Sequence, residues 1–142
     1  MKPERVFEEQ LEGTVHKETQ VDEHGVHLTV GNISKTHAHG DLDFGGSEMK
    51  ECKLHEVEPL EQQPGDRYAW WRLEEGRYVV EFNERIKDGS PCMLVVSNDR
   101  LLNCGCSIAA TAAGPGPVRT VLDVPGCGVR IKENARIALL LG

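Results

Sequence analysis

The side chains best suited to chemistry fall into four groups. His37-Ala38-His39 and Cys52-Lys53-Leu54-His55 offer an His-Xaa-His and a Cys-Xaa-Xaa-His. On neighbouring strands of a hairpin these would supply the nitrogen and sulfur ligands that Zn²⁺ takes. An His-Xaa-His also projects both rings from one strand face, the ordinary outcome in a polar hairpin, and the segment between His39 and Cys52 is rich in charges suited to solvent. We read the set as surface histidines, with zinc not expected and a zinc-stabilised structural or regulatory protein as the alternative. Cys104-Gly105-Cys106 has the spacing of a redox or soft-metal pair, and is read as buried packing thiols. Trp70-Trp71 on a strand would face opposite ways, so one ring enters the core and the other an interface or pocket. Asp41-Leu42-Asp43 sets two carboxylates on one strand face, yet no third acid follows at the spacing a Mg²⁺ or Ca²⁺ loop needs, and a solvated hairpin tip is the reading. No nucleophile elbow, phosphate-binding Gly-rich loop with Lys, or dinucleotide fingerprint occurs, which sets those enzyme classes aside.

The elements that must position these groups follow from composition and period. The 142 residues suit one domain, 1–142, with 39% hydrophobic and only 5% aromatic residues, so Val, Leu and Ile must do most of the packing. Residues 3–12 put Val6, Phe7 and Leu11 on one helical stripe, with Pro3 suited to the first turn and Gly13 to a stop. From there the period changes to two. Val26, Leu28 and Val30 alternate with His27 and Thr29 as a half-buried strand ending at Gly31. Tyr78, Val80 and Phe82 alternate likewise, as do Val129 and Ile131 with Arg130 and Lys132; Met93–Val96 and Ile137–Leu141 are short apolar strands. No later segment reads as helical. Gly-Gly and Pro-Gly steps punctuate these runs, and many short strands at turn spacing predict a mainly β barrel or sandwich.

Twenty-three acids against sixteen bases give a net charge of −7, which disfavours nucleic acid as a partner. No apolar run is long enough to span a bilayer as a helix, and Met1-Lys2-Pro3-Glu4 opens no secretory apolar region, so no membrane partner and a cytoplasmic location are expected. Five cysteines at irregular spacing are expected as free thiols.

The order of elements, with several short motifs, resembles the dUTPase-like superfamily, in particular its dCTP deaminase and archaeal dUTPase-related branch. The carrying segments are the N-terminal helix, Gln20-Val21-Asp22-Glu23-His24-Gly25-Val26-His27-Leu28-Thr29-Val30-Gly31, the hairpin segment Asp41-Leu42-Asp43-Phe44, and Gly76-Arg77-Tyr78-Val79-Val80. Further along come Leu101-Leu102-Asn103-Cys104-Gly105, Gly114-Pro115-Gly116, and the closing pair from Val129 to Ala138. The resemblance implies a distorted β-barrel of the β-clip type with a short N-terminal helix, and a homotrimer with sites where subunits meet. It also implies a chemistry of pyrimidine deoxyribonucleoside triphosphates with Mg²⁺.

Residue by residue, that chemistry is depleted. The family's phosphate signature, Arg-Ser-Ser-Leu-Xaa-Arg-Xaa-Gly, falls on Asn98, Asp99, Arg100 and Leu101, with Asn103 at the second arginine. Two guanidinium groups that would bind phosphate oxygens are therefore missing, and Asp99 adds a negative charge. The Asp-Pro-Gly whose carboxylate orients sugar and attacking water becomes Gly114-Pro115-Gly116, followed by Pro117 in place of an aromatic. With one residue fewer after the turn, Asp123 takes the place of the deaminase glutamate that serves as general base. His27 and Thr29 replace that branch's aspartate and arginine, and the sequence ends at Gly142 without the tail that folds over nucleotide.

The reading is thus a homotrimer with a degenerate nucleotide site and weak or absent triphosphate hydrolysis or deamination. An active dUTP diphosphatase or dCTP deaminase is the alternative, with Asp123 activating water, Arg100 and Ser97 on phosphate, and Asn98 or Asn103 as neutral donors. A noncatalytic trimer that binds a nucleotide-like ligand or a protein partner is the competing view.

Overall fold

The computed structural model describes residues 1–142 and is mainly β. In chain order it has α1 (Pro3–Arg5) running into a π-helical turn (Val6–Gln10), β1 (Leu11–Glu12), α2 (Lys17–Gln20), β2 (Val21–Asp22), β3 (Gly25–Ala38) and β4 (Lys53–Glu56). Then come β5 (Trp70–Leu73), β6 (Gly76–Ile86), β7 (Met93–Ser97), α3 (Asp99–Asn103), β8 (Ser107–Ile108), β9 (Thr111–Ala113), β10 (Gly116–Val124), β11 (Val129–Lys132) and β12 (Arg136–Leu141). No helix is long and apolar enough to cross a membrane.

The large sheet runs β8-β10-β6-β3-β12-β7-β9, with β1 on β6 and β2 and β4 on β3. β8 and β9 are separated by only two residues in the chain yet lie at opposite ends of this order. A flat sheet cannot satisfy both placements, so the sheet curls until its edges approach across residues 107–113. Polar contacts fasten that seam: the Ser97 hydroxyl accepts the Ile108 N–H at 2.9 Å, and the Thr120 hydroxyl donates to the Ala109 carbonyl at 2.7 Å. Inside the curl lies one cluster of 25 buried apolar residues, mostly Val, Leu and Ile.

Strand alternation predicts the inward face of β6 at Tyr78, Val80 and Phe82, and β10 shows the same period. Tyr78, Val80, Phe82 and Ile86 are buried on β6, and Val118, Leu122 and Val124 on β10. Four expectations need correction. The N-terminal stripe is not one helix to residue 12, because Leu11 leaves the π-helical turn to pair with Ile86 as a strand. Two later helices exist; α3 spans only five residues and owes its start to Asn98, so its period is too short to read. β3 does not stop at Gly31 but passes through it with a register shift between Val30 and Asn32. Glycine suits the close approach there, since a Cβ would lie 3.0 Å from Asn83 Oδ1 and 3.1 Å from the Glu81 carbonyl and would force those neighbours to shift. Finally β3 is buried on both faces from Gly25 to Val30, so His27 and Thr29 point into polar surroundings rather than solvent.

Candidate functional site

Where β7 ends, Ser97 and Asn98 turn the chain into α3. Asn98 has extended backbone, and its side-chain oxygen accepts the Leu101 N–H at 2.9 Å, the usual way an asparagine caps a helix. Its amide nitrogen donates to His27 Nδ1 at 3.1 Å and to the Arg136 carbonyl at 3.1 Å. Because Nδ1 accepts, the His27 proton sits on Nε2, which donates to Asp22 Oδ2 at 2.7 Å. Burial raises the Asp22 carboxyl, but hydrogen bonds from the His24 backbone and His27 outweigh it and hold the group below the usual carboxylate range. The outcome is a fixed relay from Asp22 through His27 and Asn98 to the start of α3.

This relay forms one wall of an open cleft of about 320 Å³, into which Ser97, Asp99, Arg100 and Arg136 also face. Arg136, from β12, donates through Nη1 to the Thr19 carbonyl at 2.8 Å. Part-burial, then the facing Arg100 guanidinium, lower its pKa from the ordinary arginine value.

Below the relay lies a second buried network centred on Glu84. Its Oε1 accepts the Thr29 N–H at 2.7 Å; its Oε2 accepts the Thr29 hydroxyl at 2.5 Å and Gln20 Nε2 at 3.0 Å. Gln20 also donates to the His27 carbonyl at 2.9 Å, so the two networks share a strand. None of the donors to Glu84 is charged. Burial accordingly pushes its carboxyl above the usual range, against the hydrogen bonds that pull it down.

The structure brings together Ser97, Asn98 and Arg100, and leaves Asn103 and Asp123 apart from them. Asn98 is 3% exposed and spends its side-chain donors and its cap oxygen inside the protein. Arg100 is exposed and lines the cleft; Asn103, in the last turn of α3, does not. Asp123 is on the outward face of β10, paired with Arg77 across to β6 at 3.7 Å. The Gly114-Pro115-Gly116 turn borders a separate cleft of about 310 Å³ whose single charged lining residue is Arg119, itself hydrogen-bonded to Glu81 at 2.7 Å. No carboxylate lines it.

His37 and His55 approach across the β3–β4 pairing, with ring centroids 6.1 Å apart. Neither there nor elsewhere do three His, Cys, Asp or Glu side chains converge in a metal-binding arrangement. The cysteines are all free; Cys106 is buried, and burial with neighbouring Cys104, Cys127 and Asp123 raises its thiol, whereas Cys104 is exposed rather than packed. Trp71 is buried with its indole N–H on the Val57 carbonyl at 2.8 Å, and Trp70 faces a cleft.

Sequence reasoning gave Arg136 and Glu84 no role. Glu84 had a signal: it stands at a buried phase of the alternation Tyr78, Val80, Phe82, Ile86. Arg136 had none, since its partner Thr19 is far away in sequence.

No family model matches the chain. The probable deoxyuridine 5'-triphosphate nucleotidohydrolase of Methanosarcina acetivorans is 32% identical over 136 residues, covering 92% of this chain and 76% of the relative. The protein of the same description from Methanosarcina mazei matches at 32% over the same span, and that from Methanosarcina barkeri at 29%. With that much of both chains aligned and a curled β sheet beneath it, the chain belongs to the dUTPase-like superfamily.

Proposed function

We propose that this protein is a homotrimer of that superfamily whose inherited nucleotide site is degenerate, so that hydrolysis or deamination of deoxyribonucleoside triphosphates is weak or absent. The observation that carries this is the turn at Gly114-Pro115-Gly116, whose cleft is lined by no carboxylate. Activating water needs a base within hydrogen-bond reach, and glycine offers none. The segment after β7 supports the same reading. Arg100 supplies one cation for phosphate beside the Ser97 hydroxyl, while Asn98 caps α3 and Asp99 opposes a polyanion. A pyrimidine deoxynucleotide or analogue remains the ligand class of this cleft, with Mg²⁺ arriving on its phosphates, and Asn103 meets it only if a neighbouring subunit completes the site.

The test is a thermal-shift series with Mg²⁺ and dUTP, dCTP and their mono- and diphosphates, paired with assays of pyrophosphate and ammonia release. A ligand that binds only the folded state raises the transition temperature. The expected result is a trimer by light scattering, with product release at background and no change in Asp123→Asn. Turnover that disappears in Asp123→Asn would reinstate Asp123 as general base and overturn the reading, as would a stable monomer.

A further inference from the structure

Beyond Lys35, β3 keeps β4 as its only partner, and the pair leaves the body of the protein as a two-stranded arm. Every residue of β4, and β3 from Lys35 to Ala38, is exposed, so the arm packs neither face on the core. Backbone hydrogen bonds between Asp41 and Lys50, at 2.8 and 2.9 Å, carry it towards the tip. There the Asp43 carboxylate fixes the turn by accepting the Gly46 N–H at 2.9 Å and the Glu48 N–H at 2.8 Å. The tip therefore has a defined shape, yet its apolar side chains face outward: Leu42 is 90% exposed, Phe44 is fully exposed and Met49 half-exposed. Residues 40–51 also hold four acids, Asp41, Asp43, Glu48 and Glu51, against one base, Lys50. A two-stranded hairpin is marginal in water by itself, and large apolar side chains left exposed on one mark a surface that another protein covers.

A surface of the opposite kind lies on the two-stranded sheet. β5 and β11 pair Trp70 with Lys132 and Arg72 with Arg130, while Trp71, Leu73 and Ile131 point into the core. The outer face therefore carries Trp70, Arg72, Arg130 and Lys132. Like charges directly opposite on paired strands destabilise a sheet, and none of the three cations belongs to any of the protein's ion pairs. Arg130 and Lys132 lie 5.8 and 5.5 Å from the centroid of the Trp70 ring, so their charged ends stand beside an aromatic surface. Such a face suits a partner that is both anionic and apolar. The arm tip is both, with carboxylates for the cations and with Leu42 and Phe44 for Trp70 and the apolar stems of the arginines and lysine. The two surfaces do not meet within one copy, because Phe44 is fully exposed and the cations are unpaired.

We propose that the arm tip of one copy of the chain docks on the β5–β11 face of a second copy, with Asp41, Glu48 and Glu51 meeting Arg72, Arg130 and Lys132, and with Leu42 and Phe44 against Trp70. Asp43 is spent on the turn. Arm on one copy and face on the next is a head-to-tail contact, the kind that closes into a ring when the rotation between copies allows it. The inference rests on the proposed homotrimer only for the presence of a second copy, and it requires nothing of the nucleotide site. In protein diluted until it dissociates, the same cations only repel one another. Removing one of them therefore moves the stability of the single chain and the affinity between copies in opposite directions.

Light scattering over a dilution series, with carbodiimide cross-linking of carboxylates to lysines, tests it. In wild type, covalently joined chains on a denaturing gel should contain Lys132 linked to Asp41, Glu48 or Glu51, and Lys132→Gln should remove those links. Leu42→Ser with Phe44→Ser should weaken association at least about tenfold, the worth of burying one large apolar side chain; both side chains are exposed, so the fold does not depend on them. Arg72→Glu with Arg130→Glu should weaken it as well, and adding Asp41→Lys with Glu48→Lys should restore it, a rescue that misfolding does not imitate. A wild-type trimer whose mass survives both the Leu42 and Phe44 and the Arg72 and Arg130 substitutions overturns the docking and leaves the trimer standing. So does charge reversal without rescue, or joined chains that never link Lys132 to the arm. A wild type that stays monomeric overturns the docking and the trimer together, and gives the face to an acidic segment of another protein.

Discussion

The buried relay around Asn98 and Glu84 and the open face of β5 and β11 are opposite solutions to carrying polar groups. In the first, no buried side-chain nitrogen or oxygen lacks a hydrogen-bond partner. In the second, Arg72 stands opposite Arg130, and neither they nor Lys132 forms an ion pair. A network that satisfies itself is a scaffold, because its polar atoms have nothing left to offer a ligand. A face left in mutual repulsion sacrifices stability for something outside the chain, the usual signature of a binding surface. Asn98 therefore shapes the site from within, whereas Arg100, Arg130 and Lys132 are free to touch what enters.

The comparison is broken most forcefully at the relay. Asn98→Ala removes the α3 cap and strands the His27 and Arg136 acceptors, and should cost about 3 kcal/mol, the sum of a typical cap and a buried unmet partner. Urea unfolding measures it, and a cost near zero would reduce the relay to decoration.

Glu84 gives the next effect, as a slope. Its folded pKa lies above its unfolded one, so the folded state binds more protons between them. Stability that is full below the unfolded value is lost as pH rises through the raised folded value, at about 1.4 kcal/mol per pH unit within that window. Glu84→Gln should abolish this component, so the difference in unfolding free energy between the two proteins should vary with pH above the ordinary glutamate range and flatten once Glu84 is ionised.

On the open face the sign reverses. Arg130→Gln relieves the repulsion from Arg72 and should raise stability by about 0.5 kcal/mol, within the range for cross-strand charge pairs. A loss instead would mean that Arg130 is structural and would blur the contrast. The smallest effect belongs to Asp123→Asn. Its pair with Arg77 is largely exposed, and such pairs contribute about 0–1 kcal/mol, so the melting temperature should scarcely move.

Much of the fold was legible, because strands with one buried face declare themselves by alternation; Tyr78, Val80 and Phe82 on β6 are the clearest case. The clefts were less so. Arg100 was reached through a family signature and does share a cleft with Ser97, which stands just before that signature, but the same signature put Asn98 among groups meeting substrate, and its burial is set by His27 and Arg136, strands away in the sheet. Glu84 disturbs the alternation of β6 without revealing Thr29 and Gln20 as its partners. The cationic face was hidden for a related reason. Trp70, Arg72, Arg130 and Lys132 become neighbours only through the β5–β11 register, and a net charge of −7 gives no hint that positive charge is gathered in one place.

The position of β12 constrains how the protein can be made. It lies between β3 and β7 in the middle of the large sheet, although its residues follow both by a long stretch of chain. On the ribosome, the growing polypeptide would hold β3 and β7 with no strand to join them, each presenting an unpaired apolar edge, until residues 136–141 emerge. Such an edge invites pairing with another chain. Assembly of this sheet therefore waits on residues 136–141, and is dominated by distant pairings and correspondingly slow.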